Sequence, residues 1–138
     1  MSAKEFLDSN VLVYAHDLST GVKREQAAAL VRGLWRSGDG CLSVQVLQEF
    51  YSVTTKKKLL EPAVAEELVE QYTYWLVHEP GAREVMSAIR LHRTALISFW
   101  DAMIVTSAGR LGCEVVWSED LNAGQQVAGV RVQNPFAN

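Results

Sequence analysis

The chain has 138 residues, 49% of them hydrophobic, and a formal net charge of −3. That length and composition fit a single domain over residues 1–138 with one core, and no apolar run approaches the ~20 residues needed to span a membrane. The mild negative charge excludes a general electrostatic attraction to nucleic acid, so such a partner must be drawn by a local patch or a bound metal.

The first eight residues contain no apolar signal region, so the expected location is the cytoplasm. Phe6-Leu7 then reads as a brief strand ending at Asp8. Val11 to Ala15 reads as a short helix, and a longer one runs from about Lys23 to Trp35. A turn at Gly38-Asp39-Gly40 leads to a second strand at Cys41-Leu42. Ser43 opens a helix to about Lys58, and Pro62 stands in the first turn of the next, which reaches Trp75. Leu76-Val77-His78 is a third strand, stopped by Pro80-Gly81. Helices over Arg83–Thr94 and Trp100–Leu111 follow, the second closed by Gly112. Val115-Val116-Trp117 is a fourth strand and Val130-Arg131-Val132 a fifth. Short strands alternating with helices predict an α/β chain whose mostly parallel sheet is covered on both faces. Ligands of such sheets bind at the carboxyl ends of the strands, so the residues just after each strand are the ones to inspect.

Four acids stand at or near such places. Asp8 follows the first strand, where an Asp also makes a good helix N-cap. Glu49 lies at the edge of the apolar face made by Val46, Phe50 and Val53, about 40° from Val53 at ~100° per residue. Asp101 opens a helix that is apolar nearly all round. Ser98-Phe99-Trp100-Asp101 has the form of a capping box, which gives that acid a purely structural explanation as well. A buried carboxylate without partners is costly and calls for backbone donors, a cation or a proton. Asp120 follows the fourth strand, and Glu119 beside it has a role that sequence does not separate from that of Asp120. Four converging carboxylates repel one another unless protonated or neutralised, and hard divalent ions such as Mg²⁺ or Mn²⁺ suit oxygen ligands.

Four segments in this order carry a resemblance: Phe6-Leu7-Asp8-Ser9-Asn10-Val11-Leu12-Val13-Tyr14-Ala15, Ser43 to Tyr51, Ser98-Phe99-Trp100-Asp101-Ala102, and Ser118-Glu119-Asp120-Leu121-Asn122-Ala123-Gly124-Gln125. They resemble the PIN-domain family, in particular its VapC-like toxin branch. The resemblance implies a three-layer α/β/α domain that hydrolyses RNA with Mg²⁺ or Mn²⁺, leaving 5′-phosphate and 3′-hydroxyl ends. It implies Asp8, Glu49, Asp101 and Asp120 as the catalytic set, with Asp8, Asp101 and Asp120 as the metal ligands. Ser9, Asn10 and Ser118 support them by hydrogen bonds, beside Glu119. Ser9 stands where the family often has Thr, which keeps the hydroxyl. A homodimer and a cognate antitoxin are implied as partners.

Basic residues are needed to hold RNA against an acidic site. Lys56 and Lys57 after the Glu49 helix, and Arg90 and Arg93 on a later one, are the candidates, and each is equally in place on a solvated surface. The four tryptophans at apolar spacing are expected in the core. Cys41 and Cys113 match no zinc spacing and read as small buried residues. The three histidines read as structural or surface residues. A phosphoacceptor or phosphatase domain on a similar sheet is the rival enzyme. It wants a second Asp close to the first and a Lys after a late strand, and no Lys follows Lys58. Two further rivals are a non-catalytic module that binds RNA or protein, and an RNA-processing nuclease that is not a toxin.

Overall fold

Phe6 and Leu7 point to opposite faces of their strand, yet both are fully buried. A strand buried on both sides needs helices on both sides, and that requirement organises the molecule. The computed structural model describes residues 3–137. The strands are β1 (Glu5–Leu7), β2 (Gly40–Ser43), β3 (Leu76–His78), β4 (Val115–Trp117), β5 (Gln126–Val127) and β6 (Val130–Gln133). The helices are α1 (Ser9–Ala15), α2 (Val22–Ser37), α3 (Val44–Lys56), α4 (Pro62–Tyr72), α5 (Ala82–Ala95) and α6 (Phe99–Arg110), with a 3₁₀ turn at Leu18–Thr20.

The sheet order is β3-β2-β1-β4-β6-β5, parallel except for the final β5–β6 pair. From β1 the chain steps outward to β2 and β3, then returns to lay β4 against the opposite edge of β1. The winding therefore reverses between β1 and β4, the kind of point where open α/β sheets bind ligands. Helices α1 to α4 pack as one connected group, while α6, backed by α5, contacts β2, β3, β4 and β6. The result is a three-layer α/β/α architecture, as expected from the alternation of elements. Its core is built on Phe6, Leu7, Leu42, Val116 and Val132, joined by Val46 and Phe50 of α3 and Ile104 and Val105 of α6. Cys41 and Cys113 are buried as free thiols.

Element ends differ from the sequence expectation in instructive ways. The helix expected to reach Lys58 stops at Lys56, because Lys58 takes a left-handed φ of 58°. The helix expected to reach Trp75 stops at Tyr72, which frees the chain to enter β3 only four residues later. Strand β5 is an addition to the expected elements. It is two residues long and joins β6 through Ala128-Gly129, both at positive φ. Such two-residue turns usually announce themselves by Asn-Gly or Asp-Gly, and alanine gives no such signal.

The tryptophans also divide. Trp75 is buried, but Trp35 and Trp100 are 43% and 62% exposed, against the expectation of a core position. Trp100 stands in the first turn of α6, where its ring meets Phe99 edge-on at 5.0 Å and the rest faces a cleft bordered by Gln45, Gln48 and Pro80. Trp35 lies across Tyr72 at the rim of an aromatic group that includes His16, Phe50 and Trp75.

Candidate active site

Register alone brings the first and last acidic segments together. Leu7 pairs with Trp117, so the next residues, Asp8 and Ser118, leave the sheet side by side at the reversal point. The Asp8 N–H donates to the Trp117 carbonyl at 3.0 Å, extending the ladder by one step. Asp8 then caps α1: one carboxylate oxygen accepts from the Ser9 N–H at 2.7 Å. The other accepts from the Ser118 hydroxyl at 2.8 Å. Asp8 is only 5% exposed, and burial pushes its carboxyl up to about 6. The bonds from Ser118 and Ser9 resist that rise, while the charges of Asp101 and Glu49 add to it.

Ser9 turns its hydroxyl to Glu49 on α3 and donates at 3.0 Å, joining the α3 acid to the β1 edge. Asp101 sits in the first turn of α6. The cap there is the Ser98 hydroxyl, which accepts from the Asp101 N–H at 3.0 Å. The cap engages the backbone N–H of Asp101, and the Ser98 hydroxyl also acts on its half-buried carboxylate, which stands in the field of Asp120. Burial raises the pKa of that carboxyl, the Ser98 bond opposes it, and the charge of Asp120 adds to the rise. Asp120 itself is exposed and accepts from the Asn10 side-chain amide at 2.8 Å. The Ser118 hydroxyl holds its N–H at 3.2 Å.

The structure therefore gathers Asp8, Glu49, Asp101 and Asp120 at one edge of the sheet, with Ser9, Asn10 and Ser118 bonded among them. Asp8 is raised by Asp101 and by Glu49, and Asp101 by Asp120, so all four belong to one electrostatic group. Among the described residues, no three His, Cys, Asp or Glu side chains stand close enough to hold an ion as placed. Glu119 is separate from this group. Its two oxygens are taken by the Tyr14 hydroxyl and the Lys23 ammonium, two residues that sequence patterns did not single out. One signal was available: Lys23 is a cation in the first turn of a helix, where the macrodipole disfavours positive charge, so a nearby anion was to be sought.

A cleft of about 310 Å³ opens beside the acids, lined by Ser9, Asn10, Tyr14, Lys57, Glu119 and Asp120 among others. Of the four basic residues singled out, Lys57 lines this cleft together with Asp120. Lys56, Arg90 and Arg93 are exposed and do not line it. The histidines take part in other contacts: His16 with Tyr72, His78 with Ser107, and His92 with the Ile97 carbonyl.

Comparison with known proteins gives a consistent answer. The PIN domain family model matches residues 6–128. Among solved structures, the chain resembles the Sarcin-Ricin loop cleaving toxin VapC20 of Mycobacterium tuberculosis, with a TM-score of 0.68 at 21% identity. The match covers 93% of this chain and 99% of that one. It also resembles a chain of the DNA-bound VapBC of Salmonella typhimurium, with a TM-score of 0.67 at 20% identity over 97% and 99% of the two chains. For a toxin–antitoxin complex of Klebsiella pneumoniae the TM-score is 0.71 at 16% identity, covering 98% of each chain. No curated protein sequence matches.

Proposed function

The chain belongs to the PIN domain family, and from that premise we propose that it is a divalent-metal-dependent endoribonuclease, the toxin of a toxin–antitoxin pair. The observation that carries this reading is the convergence of four acids at the sheet's reversal point, with Asp8 buried among them. A buried carboxyl raised by burial and by two neighbouring acids gains most from a cation at its side.

The donor set fits Mg²⁺ or Mn²⁺. All candidate donors are hard oxygens, and Mg²⁺ keeps several of its waters while taking one or two carboxylates directly. A site without three converged protein ligands is compatible with that habit. Asp8, Asp101 and Asp120 would hold the ion directly or through water, with Glu49 beside them. When bound, the ion supplies positive charge against the phosphate and acidifies a nearby water.

The chain's own residues do the rest. Ser118 and the Ser9 N–H hold both oxygens of Asp8, so its carboxylate is fixed in one orientation. The Ser9 hydroxyl and the Asn10 amide each hold one oxygen, of Glu49 and of Asp120 respectively. Glu49, with one oxygen fixed by Ser9 and the other open, would accept a proton from the attacking water. Lys57 on the cleft wall meets a backbone phosphate of the RNA as a point charge.

The partners follow from the same reading. VapBC of Salmonella typhimurium and VapBC2 of Rickettsia felis are pairs crystallised with DNA, and they support a cognate antitoxin for this chain. Dimerisation of the chain is part of the proposal. No helix among the described residues is long and apolar enough to cross a membrane, in keeping with action on cellular RNA.

The test uses the purified protein and an RNA pool with Mg²⁺ or Mn²⁺, against an EDTA control. Cleavage should require the ion, leave 5′-phosphates, and fall by about 10²-fold or more in Asp101→Asn. Full ion-dependent cleavage by that variant would sink the assignment. Induction in cells should arrest growth with the wild-type chain and not with Asp101→Asn.

A further inference from the structure

Glu119 and Asp120 are adjacent, yet they are held in different ways. Asp120 gives one oxygen to Asn10. Glu119 gives both of its oxygens away, one to the Tyr14 hydroxyl at 2.8 Å and one to the Lys23 ammonium at 2.5 Å. The ammonium is confined in turn, 5.1 Å from the centre of the Tyr14 ring and 5.5 Å from that of Phe136. Phe136 meets Tyr14 edge-on at 5.0 Å, so a residue well beyond β6 closes the far side of the group.

We infer that Glu119 is a positioning residue: clamped by Lys23 and Tyr14, it fixes the loop that carries Asp120 and sets the affinity of the acidic edge for a divalent ion without touching the ion. The inference rests on the metal-site reading above. Lys23 occupies the second position of α2, where the helix dipole works against a cation. Its place there makes sense as the counter-charge to Glu119. A carboxylate whose charge is already met by an ammonium attracts a cation less than one without such a partner, so Glu119 is a poorer candidate ligand than Asp8 or Asp120. It is a good anchor. The Asn10 side chain spans the same loop, its oxygen accepting from the Glu119 N–H at 3.4 Å and its amide donating to Asp120. Any swing of Asp120 therefore disturbs the Asn10 bridge and the Glu119 clamp together. Partners that orient metal ligands without touching the metal typically change affinity by about 10–100-fold when removed.

The measurement is Mn²⁺ binding, read from the loss of the free-ion electron paramagnetic resonance signal, on the full chain with melting curves as a folding control. Lys23→Met keeps the apolar contact with both rings and removes only the charge. It should weaken Mn²⁺ binding by about tenfold. Lys23→Arg should restore binding close to the wild-type level, and Tyr14→Phe should weaken it by less. The sign of the Lys23→Met effect is decisive. If Glu119 were itself a ligand, removing its competing ammonium would tighten binding. Tighter or unchanged binding overturns the inference. If Lys23→Met fails to fold, the Tyr14→Phe result takes its place under the same criterion. A wild-type chain that binds no Mn²⁺ overturns the metal reading itself, a separate result from wild-type binding that Lys23→Met leaves intact.

Discussion

The two ends of α1 each hold a titratable side chain, Asp8 buried and His16 half-buried. At the start, Asp8 caps the helix among other acids. At the end, His16 caps it among aromatic rings, sharing a 2.8 Å hydrogen bond with Tyr72. The helix dipole favours the charged form at both ends, yet burial wins at both. It pushes the Asp8 carboxyl up to about 6 and lowers the His16 imidazole below its ordinary value of 6.5. The consequences for stability have opposite signs. Asp8, raised in the fold, contributes stability that is fully present below 3.8 and is lost as pH rises through about 6. His16, lowered in the fold, contributes stability present above 6.5 that is lost as pH falls through its folded value. One end has a neutral role in the core. The other carries a charge that the fold alone does not favour, which is what a site for a cation requires.

Asp8→Asn breaks the comparison most sharply. It keeps a competent cap and removes the buried charge. Stability above pH 6 should rise by at most about 3 kcal/mol, the energy of a shift of about two units, less the cost of the one hydrogen bond that a single amide oxygen cannot keep, and the gain should shrink towards pH 4. Urea melts across pH 4–8 test this, and cleavage should fall by about 10²-fold in the same variant. Without the Asp8 contribution, the acid sensitivity of His16 should show as a falling stability below pH 6.5. A flat difference between variant and wild type across that range would contradict the burial argument.

Saturating Mn²⁺ should stabilise the wild-type chain by up to about 2.7 kcal/mol at a hundred times the dissociation constant, and Asp8→Asn by much less. Thermal melting with and without the ion measures both. At the other end of α1, a Cβ placed on Gly40 would meet the Trp75 ring at 2.5 Å, and Trp75 packs edge-on against Tyr72 at 5.4 Å. Gly40→Ala should cost about 1–3 kcal/mol by overpacking. Because the push falls on the aromatic end, Mn²⁺ affinity should stay close to wild type. The smallest effect is expected for Tyr72→Phe, which removes the hydroxyl that bonds His16 and should cost about 1 kcal/mol in denaturant melts.

Much of this arrangement was legible in the sequence because the acids sit where periodicity changes. Asp8 follows an apolar pair, Asp101 opens an apolar helix, and Asp120 follows Val115-Val116-Trp117, so a parallel sheet brings them to one edge. The capping pattern at Ser98-x-x-Asp101 was legible too, though only the structure shows that the cap engages the backbone N–H of Asp101. What sequence did not resolve depends on distant partners. Glu119 is set apart from Asp120 by Lys23 and Tyr14, 96 and 105 residues from it along the chain. The exposed rings of Trp35 and Trp100 follow from where their helices lie on the molecule, which apolar spacing does not encode.

The bond between Asp8 and Ser118 spans 110 residues. Its two ends meet only when β4 settles against β1, a non-local pairing of the kind that forms slowly because a long loop must close first. Chains emerge from synthesis in order, so Asp8 waits for most of the polypeptide to appear before its neighbours arrive. Until then the acids are scattered along an open chain. The acidic centre is therefore a property of the finished fold, and a growing chain carries every one of its residues but Ser118 and Asp120 without possessing it.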